Sequence, residues 1–306
     1  MEGKLQMEDK AVDDINRIDA ELKEEKPTSQ LREMWNMLIQ NKAAVVGMVI
    51  IILLILIALF GKFLEPYDPN VGELSQSLQA PSSAHILGTD EQGRDILSRV
   101  IDGTKISLRV GITAVAFALS IGTVLGAVAG YYGKKVDMII MRFMDIILAF
   151  PSMLLAIAFM AALGKGIDKA IIAISIVTIP EYARIVRGSI LSIKESEFVQ
   201  AAKVIGNSDA AIIFKHILPN VISPIVVRAT LGISSAILDT AALGFLGLGV
   251  QPPAAEWGSM LGSGRTYFFN APHIVVFPGI AITITVLAFN LFGDGLRDAL
   301  DPKLRN

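Results

Sequence analysis

The stretch from Ala43 to Phe60, AAVVGMVIIILLILIALF, holds no charge and no helix breaker beyond one glycine. About 20 such residues rise about 30 Å as a helix, enough to cross the hydrocarbon core of a bilayer. Backbone in lipid must satisfy its own hydrogen bonds, so a crossing segment of this kind is helical. The period-2 alternation of a membrane barrel is absent. The rest of the chain agrees with a bilayer as solvent. Of 306 residues, 53% are hydrophobic and 18% charged, against about 25% charged in soluble domains. Mean hydropathy is +0.57, and the apolar residues are clustered. The expected class is an all-α integral membrane protein.

A net charge of −2 gives no global field that points to nucleic acid. Without cysteine there is no disulfide, thiolate metal site or cysteine nucleophile. The first apolar run follows a long charged segment and reads as an uncleaved anchor.

Six spans are expected, over about 43–60, 107–130, 137–162, 168–190, 221–243 and 273–292. The third carries Arg142, Asp145 and Pro151. The fourth carries Pro180, Glu181, Arg184 and Arg187. Residues 1–42 form a charged tail, with Val12, Ile15, Ile18 and Leu22 spaced for an amphipathic helix. Leu31–Lys42 reads as an interfacial helix with Trp35 at headgroup level. Residues 43–105 hold the first span and its loop, and 106–306 a core of five spans containing the loop 192–220. Lys194, Lys203, Lys215, Arg297, Lys303 and Arg305 place that loop and both termini in the cytoplasm. Lys62, Arg94, Arg99 and Lys105 then lie outside, against that rule. Two turn-rich segments, ILGTDEQGRDILSRVIDGTKIS and LGFLGLGVQPPAAEWGSMLGSGR, face outward, and the glycines of the second let it pack closely or partly re-enter the membrane.

No GxxxxGK[ST] loop occurs, so ATP is not bound by that route. His85, His216 and His273 have no ligand partner at helical spacing and read as ordinary polar residues. No HExxH, GxSxG or carboxylate pair suggests an enzyme. Inside the spans, Arg142 and Asp145, and Glu181 and Arg184, stand at i, i+3 and can pair along one helix. Asp239 lies near the end of the fifth span. Such charges cost about 2.5–3.5 kcal/mol or more in lipid and face protein or water. They form either a polar wall along a substrate path or structural pairs.

The loop EFVQAAKVIGNSDAAIIFKHILPN, Glu197 to Asn220, interrupts this apolar order. Phe198, Val199, Ala201, Ala202, Val204 and Ile205 make a short helix with a broad apolar face. Gly206-Asn207 ends it. Ser208 caps a second helix through Ile212, Ile213, Phe214 and Ile217, stopped by Pro219.

Gln200-Ala201-Ala202, then Gly206, then His216-Ile217-Leu218-Pro219 resembles the EAA motif of ABC-importer permeases. Gln200 stands where glutamate is usual and His216 where isoleucine is usual. The segments HILGTDEQGRDILSR, FLGLGVQPPAAEWGSML and GDGLRDALDPKLR resemble the C-type permease of dipeptide and oligopeptide importers. The resemblance implies a type I importer permease fold of six transmembrane helices. It implies a coupling loop made of Gln200, Ala201, Ala202, Gly206, Asn207, Ser208, Asp209, His216, Leu218 and Pro219. It implies as partners a homologous second permease, two cytoplasmic ATPases that bind ATP and Mg, and an extracytoplasmic substrate-binding protein. Asp145, Glu181 and Asp239 are candidate pathway-lining residues. A metal-chelate cargo such as nickel is the near alternative. An ion-coupled secondary transporter using those carboxylates, and a scaffold or receptor subunit, are the more distant ones.

Overall fold

The structure is a computed structural model that describes residues 30–300. The helix expected around Val12–Leu22, and Lys303 and Arg305, lie outside the described residues. Among those residues there is no strand, only an isolated antiparallel bridge between Thr89 and Asp95.

Helix α1 (Gln30–Gln40) leads into α2 (Lys42–Phe60). Asn41 separates them, its side chain accepting from Ala43 N and Ala44 N at 3.1 and 3.2 Å. That is an N-cap, and it restarts the helix just before the apolar run. Within α2 only Ala44 and Gly47 are buried. Both are small where the helix meets α10 (His273–Leu300): a Cβ on Gly47 would stand 2.6 Å from Ala288 O. Ile51, Leu54 and Ala58 pack in part against Leu108, Ile237 and Phe289, and much of the rest of its apolar surface is exposed.

Helix α3 (Ile96–Tyr132) is longer than the expected 107–130. At 1.5 Å per residue it rises about 55 Å, well beyond the bilayer core. Its early start follows from Asp95, which caps it by accepting from Ser98 N at 2.8 Å. The boundary placed at 105–106 therefore falls inside a helix. Helix α6 (Ile167–Ile193) runs along α3, and this is the most extensive helix contact in the fold. Gly122, Gly126 and Gly130 make the approach possible. A Cβ on Gly122 would lie 2.6 Å from Tyr182 Cβ, and one on Gly130 3.1 Å from Arg187 O. Without a hydrophobic drive in lipid, such close backbone packing is what holds helices together.

The third expected span is broken. Helix α4 (Lys134–Leu148) and α5 (Ser152–Leu163) meet at 89°. Pro151, lacking an N–H and crowding the preceding turn, cannot continue α4. By length and apolarity four helices among the described residues qualify as spans, or five if the bent pair counts as one. Helix α6, expected as the fourth span, is long enough at 27 residues but carries Asp168, Lys169, Glu181, Arg184 and Arg187. The count of six is therefore not reached on composition alone. Pro180 lies inside α6 without ending it.

The two turn-rich segments pack together into one cap beside α3. Asp90, Arg94 and Arg99 are all buried. Asp90 Oδ2 lies 2.7 Å from Arg94 Nε and 3.4 Å from Arg99 Nε. Arg99 Nη1 also donates to Pro69 O at 2.7 Å. His85 bridges Asp95 and Gln76 at 2.9 Å each. Trp257, fully buried, opens α8 (Trp257–Gly264; α7, Ile222–Phe245, precedes it) and donates from Nε1 to Val100 O at 3.0 Å. Gly262 packs on α7, where a Cβ would come 2.7 Å from Phe245 O. The close packing expected of these glycines is present. Glu256, also buried, caps α8 by accepting from Gly258 N and Ser259 N at 2.8 Å each. Burial pushes its carboxyl up to about 7.

Candidate functional site

Glu197–Val204 is a helix of eight residues that begins three residues after α6 ends. Its last turn closes as a Schellman motif. Gly206 N donates to Lys203 O at 3.0 Å and Asn207 N to Ala202 O at 3.2 Å. Gly206 adopts φ +89°, where an L side chain is strained. Open space surrounds the position, so the requirement for glycine lies in the backbone alone. The Asn207 side chain adds a second bond to Ala202 O at 3.2 Å. Ser208 then accepts from Ala211 N at 3.3 Å and starts the next turn at Asp209.

Pro219 does not stop this second element. Ile212–Ile217 is a π-helical turn, Leu218–Val221 a 3₁₀ turn, and the path continues into α7. The proline sits in the first turn of the 3₁₀ segment, where its missing N–H breaks no bond. The changes of winding absorb what would otherwise be a break.

The apolar residues divide between two sides. Val199, Ala202, Ile212, Ile213, Ile217 and Val221 are buried with Ala127, Val186 and Ile190 of α3 and α6. Val204 and Ile205 are 88% and 80% exposed, and Phe198 and Phe214 also point out. The single broad face expected from sequence is thus two faces, one bound to the bundle and one open. Three contacts tie the loop to α3. Tyr131 donates to Asp209 Oδ1 at 2.8 Å, Lys194 Nζ to Gly130 O at 3.3 Å, and the Lys203 ammonium lies 5.6 Å from the Tyr131 ring centre. Gln200 donates to Glu195 Oε2 at 3.0 Å. His216 and Leu218 are half-buried, and Asn220 donates to His216 O at 2.6 Å. Ala201 and Pro219 are exposed. Tyr131 and Lys194 were missed as supports of the site because their partners lie far away in the chain.

The intramembrane charges pair between helices and not along them. Asp145 meets Arg184 at 2.6 Å, Asp137 takes both Nε and Nη2 of Arg187, and Glu181 pairs with Arg228 of α7. The expected i, i+3 pairs are therefore not formed. Helix α6 lies between α4 and α7, so each of these side chains finds an opposite charge across a helix contact. Arg142 is exposed and makes no ion pair among the described residues. Asp239 is half-buried and has no hydrogen bond or ion pair among them. No cluster of three or more metal-ligating side chains occurs among the described residues.

Residues 122–306 match the family described as binding-protein-dependent transport system inner membrane component. Residues 29–81 match the N-terminal TM domain of oligopeptide transport permease C. The chain is 51% identical to the dipeptide transport system permease protein DppC of Alkalihalophilus pseudofirmus, over 91% of each chain. It is 48% identical to the glutathione transport system permease protein GsiD of Pectobacterium atrosepticum, over 90% of this chain and 92% of that one. It is 46% identical to the di/tripeptide transport system permease protein DppC of Pseudomonas aeruginosa, over 91% and 94%. Among solved structures, the MetNI methionine ABC transporter in an inward-facing conformation matches with a TM-score of 0.55. It does so at 18% identity, over 67% of this chain and 98% of that one. That likeness concerns the fold alone.

Proposed function

The chain belongs to the family of binding-protein-dependent transport system inner membrane components, and from that premise we propose that it forms half of the pathway of a dipeptide or oligopeptide importer. It is a multi-pass permease subunit of an ABC importer, a transport protein and not an enzyme. Such a permease works with an ATPase and a substrate-binding protein. In our reading it pairs with a homologous second permease. Two cytoplasmic ATPases bind ATP and Mg, and the binding protein docks on the outer cap. Both termini are cytoplasmic.

The observation that carries this reading is the open apolar tip at Val204 and Ile205, held on a rigid base. The short helix is locked by the Schellman turn at Gly206 and seated on α3 and α6. A push on such a tip is delivered to the packed α3–α6 pair and does not dissipate within a loop. Docked in an ATPase groove, it couples closure of the ATPases to alternating access. The paired state of Asp145 favours the structural reading of that carboxylate. Arg94 and Arg99, awkward as outside charges, are paired within the cap with Asp90 and Glu91.

The cargo reading rests on the dipeptide and di/tripeptide relatives. The glutathione relative supports a second reading, a γ-glutamyl tripeptide. Uptake by the reconstituted complex tests both. ATP-driven uptake of a dipeptide through the binding protein supports the importer. Uptake by the lone permease, insensitive to ATP and abolished by collapsing the proton gradient, would replace it with the ion-coupled reading.

A further inference from the structure

On the coupling-loop side of the bundle, α6, α7 and α10 border an open cleft of about 510 Å³. That lies within the range of small-ligand sites, about 300–1,000 Å³. Its walls are apolar, built by Ile185, Val227, Leu231 and Leu300, and two guanidinium groups, Arg228 and Arg297, border it. Arg228 already has a carboxylate partner in Glu181. Arg297 has no ion pair among the described residues. Its neighbours on α10 do not supply one: Asp298 receives the Asn41 amide at 3.4 Å, and Asp294 is not within ion-pair distance. The cleft thus has two cations at its border and a mainly apolar wall, and Glu181, outside its lining, adjoins it through the pair with Arg228.

We infer that this cleft is a transit site for the free carboxylate end of the peptide, held between Arg228 and Arg297, with the peptide ammonium against Glu181. The inference rests on the importer reading and adds a cargo preference within the permease itself. A zwitterionic peptide brings one carboxylate and one ammonium. Its ammonium can take the place of Arg228 on Glu181, freeing the Arg228 fork for the carboxylate. One ion pair is exchanged for two, and Arg297 gains the partner it lacks. Planar guanidinium groups match carboxylate geometry with paired N–H donors, which a lysine cannot reproduce. The apolar wall receives a peptide side chain. An anionic lipid headgroup offers the same chemistry, an anion beside an apolar chain, so lipid composition is an arm of the test.

The test uses the complete importer, with its ATPases, second permease and binding protein, in vesicles of phosphatidylcholine alone. ATP-driven uptake is compared for a dipeptide and its C-terminal amide, with the binding protein unchanged throughout. Any change in preference therefore comes from the permease. A hydrogen bond to a charged group is worth about 1.5–3 kcal/mol, so Arg297→Gln should lower the preference for the free carboxylate by about tenfold or more. Arg297→Lys should restore part of it, and Arg228→Lys, which keeps its charge beside Glu181, should cost less than Arg297→Gln. Co-purification of the partners with each variant checks assembly. An equal loss for both peptides, or an unchanged preference, would overturn the inference. So would a loss reversed by adding phosphatidylglycerol, which would mark a lipid site. Failure of the unaltered complex to import any peptide would remove the importer reading itself and the inference with it.

Discussion

The turn-rich cap and the 197–220 loop are both short, glycine-punctuated interruptions of an apolar chain, yet they are finished in opposite ways. In the cap the charges are inside and satisfied: Asp90 holds Arg94 and Arg99, Asp95 holds His85, and Trp257 finds Val100. In the loop a set of large apolar side chains is outside: Val204, Ile205 and Phe214 are exposed. A region whose buried charges are paired internally is built to hold its shape. A region that exposes aliphatic side chains on a rigid turn is built to be completed by another protein. The difference predicts that cap mutations act on folding and loop mutations on coupling.

The largest effect should come from the cap. Asp90→Ala leaves buried Arg99 without its carboxylate and Arg94 with Glu91 alone, at a cost of about 3–5 kcal/mol. Thermal unfolding of the purified chain in mild detergent should drop sharply or the chain should fail to accumulate. A melting curve like that of the unaltered protein would break the comparison on the cap side. Next comes Gly206→Val. A β-branched residue at φ +89° costs about 1–3 kcal/mol locally, and the short helix should lose its closing turn. The spans should still insert, as read by protease protection, while ATP-driven uptake falls at least tenfold. Normal uptake by this variant would contradict our account of the loop.

Smaller, and sharper, is Tyr131→Phe. It removes one hydrogen bond, to Asp209, worth about 1 kcal/mol. Stability should change little, while the peptide imported per ATP hydrolysed should fall, because the loop loses a tie to α3. An unchanged ratio would show that the buried cluster around Val199 and Ile212 holds the loop without that tie. A further effect concerns pH. Burial raises the Glu256 carboxyl from 4.5 to about 7. Between these values the folded cap keeps a proton that the unfolded chain has released. The stability from this group is therefore present in full below about 4.5 and is lost as pH rises through about 7. Melting should come at lower temperature at pH 8 than at pH 5, and Glu256→Gln should flatten that slope. An identical slope in the variant would assign the pH dependence elsewhere.

Much of this was legible in the sequence where chemistry is local. Ala43–Phe60 is uniform enough that only a membrane helix suits it. Gly206-Asn207 signals a helix end within a few residues, and the turn is there. What escaped depends on distance along the chain or on competing local signals. Asp95 capped a long helix inside a stretch dense with turn residues, so α3 began earlier than expected. Pro151 was visible, yet the continuous apolar run around it concealed an 89° break. Arg184 had Glu181 nearby in sequence, but the fold gave it Asp145, 39 residues away. Residue spacing alone does not reveal which helix lies next to which. The division of the loop's apolar residues into buried and open sets likewise required the positions of α3 and α6.

The central claim is that the open tip of the loop is the ATPase docking surface. It is tested most directly by purifying the tagged chain from its native membrane, unaltered and as Val204→Asp with Ile205→Asp. Partners are identified by mass spectrometry. Both positions are almost fully exposed, so the double variant should fold as the unaltered chain does. The account predicts a second six-span permease with both proteins, and P-loop ATPases with the unaltered chain only. ATPases retained in full by the double variant would contradict it, as would an unaltered chain that purifies alone.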